Sequence, residues 1–468
     1  MTRLNAPSVP ADPTSKERLA ARGLDYRTVD TADRDAFLNA MQAVTRGFLG
    51  PEITGAAVAE ESEPTDGRRY LGIFDAGLAQ PQVPVATIDS WVTPLSVPGG
   101  DLDMWAISGV TVAGTHRGRG IARAMLEGEL RAAAGAGLAI AGLTVTETTL
   151  YGRYGFGAAV PMSTWTIDTR RAGWAGPEVD GRVEFVSREQ LATDLGDVHE
   201  RVRTRRGGEI AAWPRRWRQA AGLSTSVKDG DHVRGVRYVD ADGEVRGALA
   251  YRVIENEREF TQSRLNIGVL VTENPDAAAA LWGYAVQHAL VAEVTASLRP
   301  IDDPVRWLVR DERGAVQTIR DHGWLRILDL PRALESRSYA TAADVTLEVT
   351  DPLGLTSGTW RVRIAPDGGA EVTRLPAAVA VGAAGASGAA GAGDAGTSGA
   401  GDAGASGAPG AIAADIRLGI AELSAAYLGG TPLTGLLASG RIAGEPAAVA
   451  ALDAALRPAQ PPTLSIWY

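Results

Sequence analysis

The residues whose types and order could do chemistry are concentrated between Val110 and Gly157. Val110-Thr-Val112-Ala-Gly-Thr-His-Arg117-Gly118-Arg-Gly120-Ile121-Ala reads as an apolar strand, a glycine turn and the start of a helix. In such an Arg-x-x-Gly-x-Ala turn several backbone N–H groups converge beside a helix N-terminus, whose partial positive charge suits a pyrophosphate. Glycines let the anion approach the backbone closely. A second apolar strand follows, then Leu150-Tyr151-Gly-Arg-Tyr154-Gly155-Phe156-Gly157, which sets Tyr151 on a turn beside that strand, as a site residue or as a core tyrosine. The chain ends Pro461-Pro-Thr-Leu-Ser-Ile-Trp-Tyr468, although termini are usually polar and frayed. It reads as a tail docked elsewhere on the molecule, or as the last strand of its own domain.

The elements that must position these residues follow an α/β pattern from Asp25 onward. Strands are expected near Tyr26, over Tyr70–Phe74, Ala86–Val92 and Asp103–Val112, and a helix beginning near Thr31 carries Phe37, Leu38, Met41 and Val44 at helical spacing. Ile121, Met125, Leu126 and Leu130 form one apolar helical face behind the glycine turn, and Leu138–Thr146 is the next buried strand. From Thr164 a similar order of elements recurs without the Arg-x-x-Gly-x-Ala turn: strands at 183–186, 235–239, 247–253, 265–271 and 294–298, and helices opening at Ser187 and Asn274. Ser187 and Gln190 have the spacing of a capping box. This second domain is expected to lack a cofactor site. A third segment begins near Gly323 and contains the alternating strands Asp344–Asp351 and Gly358–Ile364. The first fifteen or so residues, rich in Pro, Ser and Thr, are expected to be disordered.

Several function classes lose support. The formal net charge of −10 argues against a nucleic-acid scaffold and favours cationic partners. Seven arginines between Arg201 and Arg218, interleaved with Trp213 and Trp217, are diluted by Glu200 and Glu209 and read as a solvated helix face with packed tryptophans. The absence of cysteine excludes disulfides and thiolate chemistry, and the five histidines, at 116, 199, 232, 288 and 322, are too scattered for a local metal cluster. No run of eighteen apolar residues and no signal peptide are apparent, so a soluble cytoplasmic protein is expected, with no membrane partner. The tract 377–410 twice matches Gly-x-Gly-x-x-Gly, at Gly391 and Gly399, but lies in low-complexity sequence without the flanking strand and helix that the fingerprint requires. Gly-x-Ser-x-Gly, Walker A and His-Glu-x-x-His elements are missing.

The segments Val110 to Gly120 and Tyr151 to Gly157, with Trp324-Leu-Arg-Ile-Leu-Asp329, Ala425-Ala-Tyr-Leu-Gly-Gly430 and an aromatic last residue, resemble the enhanced intracellular survival family of bacterial acetyltransferases. The resemblance implies an α/β (α+β) architecture of tandem GNAT-like domains, 1–158 and 159–321, followed by a sterol carrier protein-like α+β domain, 322–468, with 377–410 as an insertion. It implies acetyl-CoA as cosubstrate without a metal, with Val110 and Val112 on the pantetheine arm and Arg117, Gly118, Gly120 and Ile121 on the pyrophosphate. It further implies Tyr151 as general acid, the carboxylate of Tyr468 as base, N-acetylation of cationic amines such as aminoglycosides, and a homohexamer. Trp467 departs from relatives that carry an acidic residue just before the last position. The competing readings are a lipid- or ligand-carrying protein working through its third domain, and a coenzyme A-binding regulator without turnover.

Overall fold

The computed structural model describes residues 4–65, 67–376 and 414–468, so the tract 377–410 and its glycine fingerprints lie outside the described residues. In the first unit β1 (Leu24–Thr28), β2 (Arg69–Asp75), β3 (Ala86–Val97) and β4 (Gly100–Val112) pair antiparallel in sequence, and β5 (Ile140–Thr144) joins β4 in parallel. Helices α1 (Pro13–Ala20), α2 (Arg34–Gly47), α3 (Ala57–Glu61) and α4 (Ile121–Gly135) pack on the two faces. The apolar face expected for α4 is buried, and Glu129 on the same helix is buried with it. Its carboxylate accepts from Arg69 (2.5 Å), Ser90 (2.7 Å) and Trp105 (3.2 Å), so one buried charge ties α4 to three strands with every contact hydrogen-bonded.

The N-terminal segment departs from the expected disorder. Residues Ala6–Ser8 form a 3₁₀ turn and α1 follows, capped by Asp12, whose carboxylate also receives Arg131 at 2.7 Å. The physical reason is Arg69, whose remaining donors are satisfied by the carbonyls of Val9 and Pro10. A second correction concerns α2, which is capped by Asp33 rather than opening at Thr31, and buries Phe37, Ala40 and Ala43.

Beyond α5 (Thr148–Tyr151) the chain enters β6 (Gly157–Asp168), which runs into a second unit containing α6 (Thr169–Ala172) and β7 (Arg182–Val186). Next come α7 (Arg188–Arg203), α8 (Pro214–Ala220), β8 (Arg234–Val239), β9 (Val245–Ile254), β10 (Ser263–Thr272), α9 (Pro275–Val286) and β11 (Val291–Arg299). Ser187 accepts from Gln190 N, but the Gln190 side chain turns to Asp194, so only half of the capping box forms. The strand β12 (Ala315–Ile327) closes the sheet: it pairs with β6 from Ala315 to Leu325 along one edge, and its last five residues, Gly323–Ile327, pair with β5 of the first unit along the other. The result is one 12-stranded sheet of order β1-β2-β3-β4-β5-β12-β6-β11-β10-β9-β8-β7. Residues 158 and 321 lie inside β6 and β12, and Gly323–Ile327 belongs to this sheet.

The third unit is a five-stranded sheet, β15-β14-β13-β16-β17, of β13 (Ala343–Thr350), β14 (Gly358–Ile364), β15 (Ala370–Leu375), β16 (Ile416–Gly419) and β17 (Ala443–Gly444). It carries α10 (Leu330–Glu335), α11 (Ile420–Ala426), α12 (Leu433–Ala438) and α13 (Pro446–Leu456). The buried Arg326 on β12 joins it to the first unit, donating to Asp351 at 2.6 Å and to the carbonyl of Tyr154 at 2.8 Å.

Candidate active site

The site begins where two strands part. The β4–β5 ladder runs from Met104–Ile140 to Ala106–Gly142 and stops, while β4 continues to Val112 without a β5 partner. The β3–β4 register shifts between Thr87 and Asp89, and Gly109 sits there at φ +59°, where a Cβ would collide with the Asp89 carboxylate. This bulge turns the backbone beyond it, including Val110 and the half-buried Val112, along the open edge. The chain then makes a 3₁₀ turn, Gly114–His116, and passes through Gly118 (φ +75°) and Gly120 (φ +71°) into α4. No side chain caps α4, a Cβ at Gly118 would meet nothing within 4 Å, and residues 117–120 are exposed. A cradle of free N–H groups at a helix start fits a pyrophosphate, and the open β4 edge fits an amide-bearing arm. Ile121 contributes through its backbone, since its side chain is in the core. His116 is also buried; its ring bridges Thr115 (2.8 Å) and Asp75 (3.1 Å) and braces the turn.

Tyr151 closes α5 just beyond β5 and packs edge-on against Phe156, ring centroids 6.1 Å apart. Its hydroxyl has no hydrogen-bond partner among the described residues. Burial, then the charges of Glu147 and Tyr154, push its phenol above the usual range, so it stays protonated. The C-terminal tail docks beside the same strand. Thr144, the last residue of β5, donates to an oxygen of the Tyr468 α-carboxylate at 2.5 Å and accepts from Tyr468 N at 3.4 Å. Of the two readings open for the tail, the structure has the docked one. The site thus gathers Val110, Val112, the 117–121 turn, Tyr151 and Tyr468 around the ends of β4 and β5.

Both units of the large sheet, and the strand β12 between them, hold the tail. Thr463 N donates to Gly207 O and Ser465 N to Glu209 Oε1, each at 2.9 Å, while His322 on β12 donates to Ile466 O at 2.9 Å and meets Trp467 edge-on, ring centroids 4.5 Å apart. Segment 207–210 is itself hydrogen-bonded to Ser96 of β3, so the second unit is a strap between the first unit and the tail. The Tyr468 ring meets Trp91 at 5.5 Å, and Trp91 meets Trp213 at 5.9 Å. Thr144, Glu209, His322 and the Trp91–Trp213 pair carried no local signal; only Gly109, an isolated glycine in a strand pattern, could have marked its bulge. The expected solvated arginine face is instead an ion-paired one. Arg201 and Arg205 hold Glu273, Arg203 holds Asp101, Arg206 holds Asp302 and Arg215 holds Glu61.

Residues 25–159 and 208–327 each match an acetyltransferase (GNAT) domain, and residues 330–465 match a sterol carrier protein domain. An N-acetyltransferase of Streptomyces avermitilis is 34% identical over 74% of this chain and 83% of its own, and one from Streptomyces griseus is 32% identical over 89% and 93%. N-acetyltransferase Eis of Mycobacterium bovis is 30% identical over 69% of this chain and 80% of its own. Among solved structures, Eis1 from Mycobacterium abscessus superposes with a TM-score of 0.71 at 27% identity, covering 95% of this chain and all of that one. Fold and site therefore define an acyltransferase of GNAT type, with two GNAT domains and a sterol carrier protein-like domain. The chain belongs to the enhanced intracellular survival family of bacterial N-acetyltransferases.

Proposed function

We propose that the chain moves the acetyl group of acetyl-CoA directly to the primary amine of a small cationic acceptor in a ternary complex. The thioester supplies the acetyl carbon; a C–N bond forms as the C–S bond breaks. The observation that carries the reading is the tail: Tyr468 is pinned to Thr144 where β5 parts from β4, beside the open β4 edge. An amine of pKa near ~10.4 is protonated at neutral pH, so a base is required. The Tyr468 carboxylate serves as that base, held beside β5 by Thr144. Tyr151 donates a hydrogen bond to the leaving sulfur. Full proton transfer from a phenol near ~10 to a thiolate near ~8.5 is uphill by about 2 kcal/mol, and burial of Tyr151 adds to that. N–H groups of β4 beyond Ala106 would receive the developing oxyanion.

Aminoglycosides are the polycationic end of this acceptor class, and the net charge of −10 favours cations in general. A cytoplasmic location and a homohexamer complete the proposal, the latter checked by sedimentation. Adding two residues after Tyr468 tests the base. Turnover should fall steeply with acetyl-CoA affinity retained; a wild-type rate across neutral pH would assign the proton to water or a side chain instead.

A further inference from the structure

Between the β4 bulge and the nearest large cleft stands a cation that belongs to the protein itself. Arg68 places its guanidinium carbon 3.7 Å from the ring centroid of Trp91 and 4.7 Å from that of Trp213, and its Nη1 2.6 Å from Asp89 Oδ2. Two indole faces and a buried carboxylate are the groups that would recognise an ammonium ligand. Here they are already filled, and the Arg68 side chain is only 11% exposed. On one side of this seat, the Asp89 carboxylate abuts Gly109 of the bulge, and Trp91 carries the ring of Tyr468. On the other side, Trp213 lines a cleft of about 710 Å³ between α3 and α8, together with Ala56, Ala59, Pro64, Pro214 and Leu223. Trp213 and Arg68 therefore stand between this cleft and the bulge.

The rim of the cleft is balanced in the same way. Glu60 accepts from Ser224 and from the backbone and hydroxyl of Thr225, and Glu61 pairs with Arg215 at 2.5 Å. Glu63 is exposed, and Arg218 also lines the cleft. A polycation therefore gains little from Glu60, Glu61 and Asp89, whose carboxylates are bound by the chain's own donors, which leaves Glu63 as the one open carboxylate among these. A guanidinium close to the reacting amine also favours the amine's neutral form, which is the nucleophile.

We infer that Arg68 sets acceptor specificity: by holding the seat between Trp91 and Trp213 it excludes multiply charged acceptors and selects a primary amine with one positive charge on an apolar or aromatic body. The inference rests on the acetyl-transfer reading above and narrows its acceptor. The test compares phenethylamine with spermidine as acceptors, following thiol release from acetyl-CoA, for the wild type, Arg68→Met and Arg68→Lys. The wild type should prefer phenethylamine at least tenfold in kcat/KM. Arg68→Met, which keeps bulk between the indoles but frees the seat, should raise kcat/KM for spermidine about tenfold through KM, whereas Arg68→Lys, which keeps the charge, should retain the wild-type preference. Calorimetric titration of acetyl-CoA checks that each variant is folded. A wild-type preference for spermidine, or an unchanged ratio in an Arg68→Met protein that binds acetyl-CoA normally, overturns the role of Arg68 while leaving acetyl transfer in place. Thiol release that no amine stimulates in any of the three proteins overturns the acetyl-transfer reading, and the acceptor inference with it.

Discussion

The first two units contain the same strand pair and put it to different use. In both, a parallel ladder ends early and the strands diverge: β4–β5 stops at Ala106–Gly142, and β10–β11 at Ile267–Ala296. In the first unit the gap is left open, and a turn with two left-handed glycines leads into an uncapped helix. In the second, Arg299 spans the gap, donating to the Leu270 carbonyl and to Asp303, which in turn receives Trp282 at 3.0 Å. The start of α9 is closed as well. Asn274 caps Ala277 N, Pro275 has no N–H to offer, and the neighbouring Glu273 is held by Arg201, Arg205 and Arg246. One architecture thus becomes an open cleft with free backbone donors or a closed structural strap through a handful of residues at the strand ends.

That contrast can be broken at several points. The largest effect is expected for Arg299→Ala, which strands Asp303 as a buried carboxylate without its cation. The loss should be about 3–5 kcal/mol of stability in denaturant unfolding. Acetyl-CoA stoichiometry by calorimetry should stay at one per chain, since Asn274 and Pro275 still close α9; a second equivalent would mean that Arg299 alone separates the two clefts. In the first unit, Gly120→Asp sets a side chain and a negative charge at the uncapped helix start, where its carboxylate takes the anion's place and repels the pyrophosphate. Acetyl-CoA affinity should fall on the order of 100-fold. Unchanged binding would remove the turn from the site.

Tyr151→Phe deletes a hydrogen bond without disturbing the packing on Phe156. A tenfold fall in kcat is expected, about 1.4 kcal/mol, with KM and melting temperature unchanged. A change in KM alone would recast Tyr151 as an acceptor-binding residue. The smallest effect concerns pH. Burial holds the His322 imidazole below its usual value, its Nδ1 being enclosed without a partner, while the bond to Ile466, Glu209 and Asp321 oppose that shift. The released or unfolded state then binds more protons, so stability rises with pH and levels off above the ordinary histidine value of about 6.5. Below about 6.5 it should be lost by less than about 1.4 kcal/mol per pH unit. His322→Phe should flatten the slope between pH 5.5 and 6.5 in thermal melts; an unaltered slope would assign it to other groups.

Much of this was legible in the residues themselves. The strand, turn and helix around Arg117–Gly120 form one contiguous stretch whose chemistry is backbone chemistry, so glycine spacing and apolar periodicity were enough to place it. Most strands of both sheets were legible for the same reason, though β6 and β12, which join the units, and β15, with only one buried position, were not. Composition misled at the N-terminus, because the demand of Arg69 for acceptors on Val9 and Pro10 is made by a residue some sixty positions away.

The sequence by itself determined the strand, glycine turn and helix at 110–135, the repeated order of elements in the first two units and the aromatic end of the chain, since each depends on neighbours along the backbone. The tertiary structure decided which units share β6 and β12, where Tyr468 docks, that Arg68 occupies the space between Trp91 and Trp213, and that Arg299 shuts the second cleft. Most of these contacts join residues far apart in the chain, and those closer together meet across strands or a bulge. They are set by how sheets and loops pack, which no local pattern of residue types encodes.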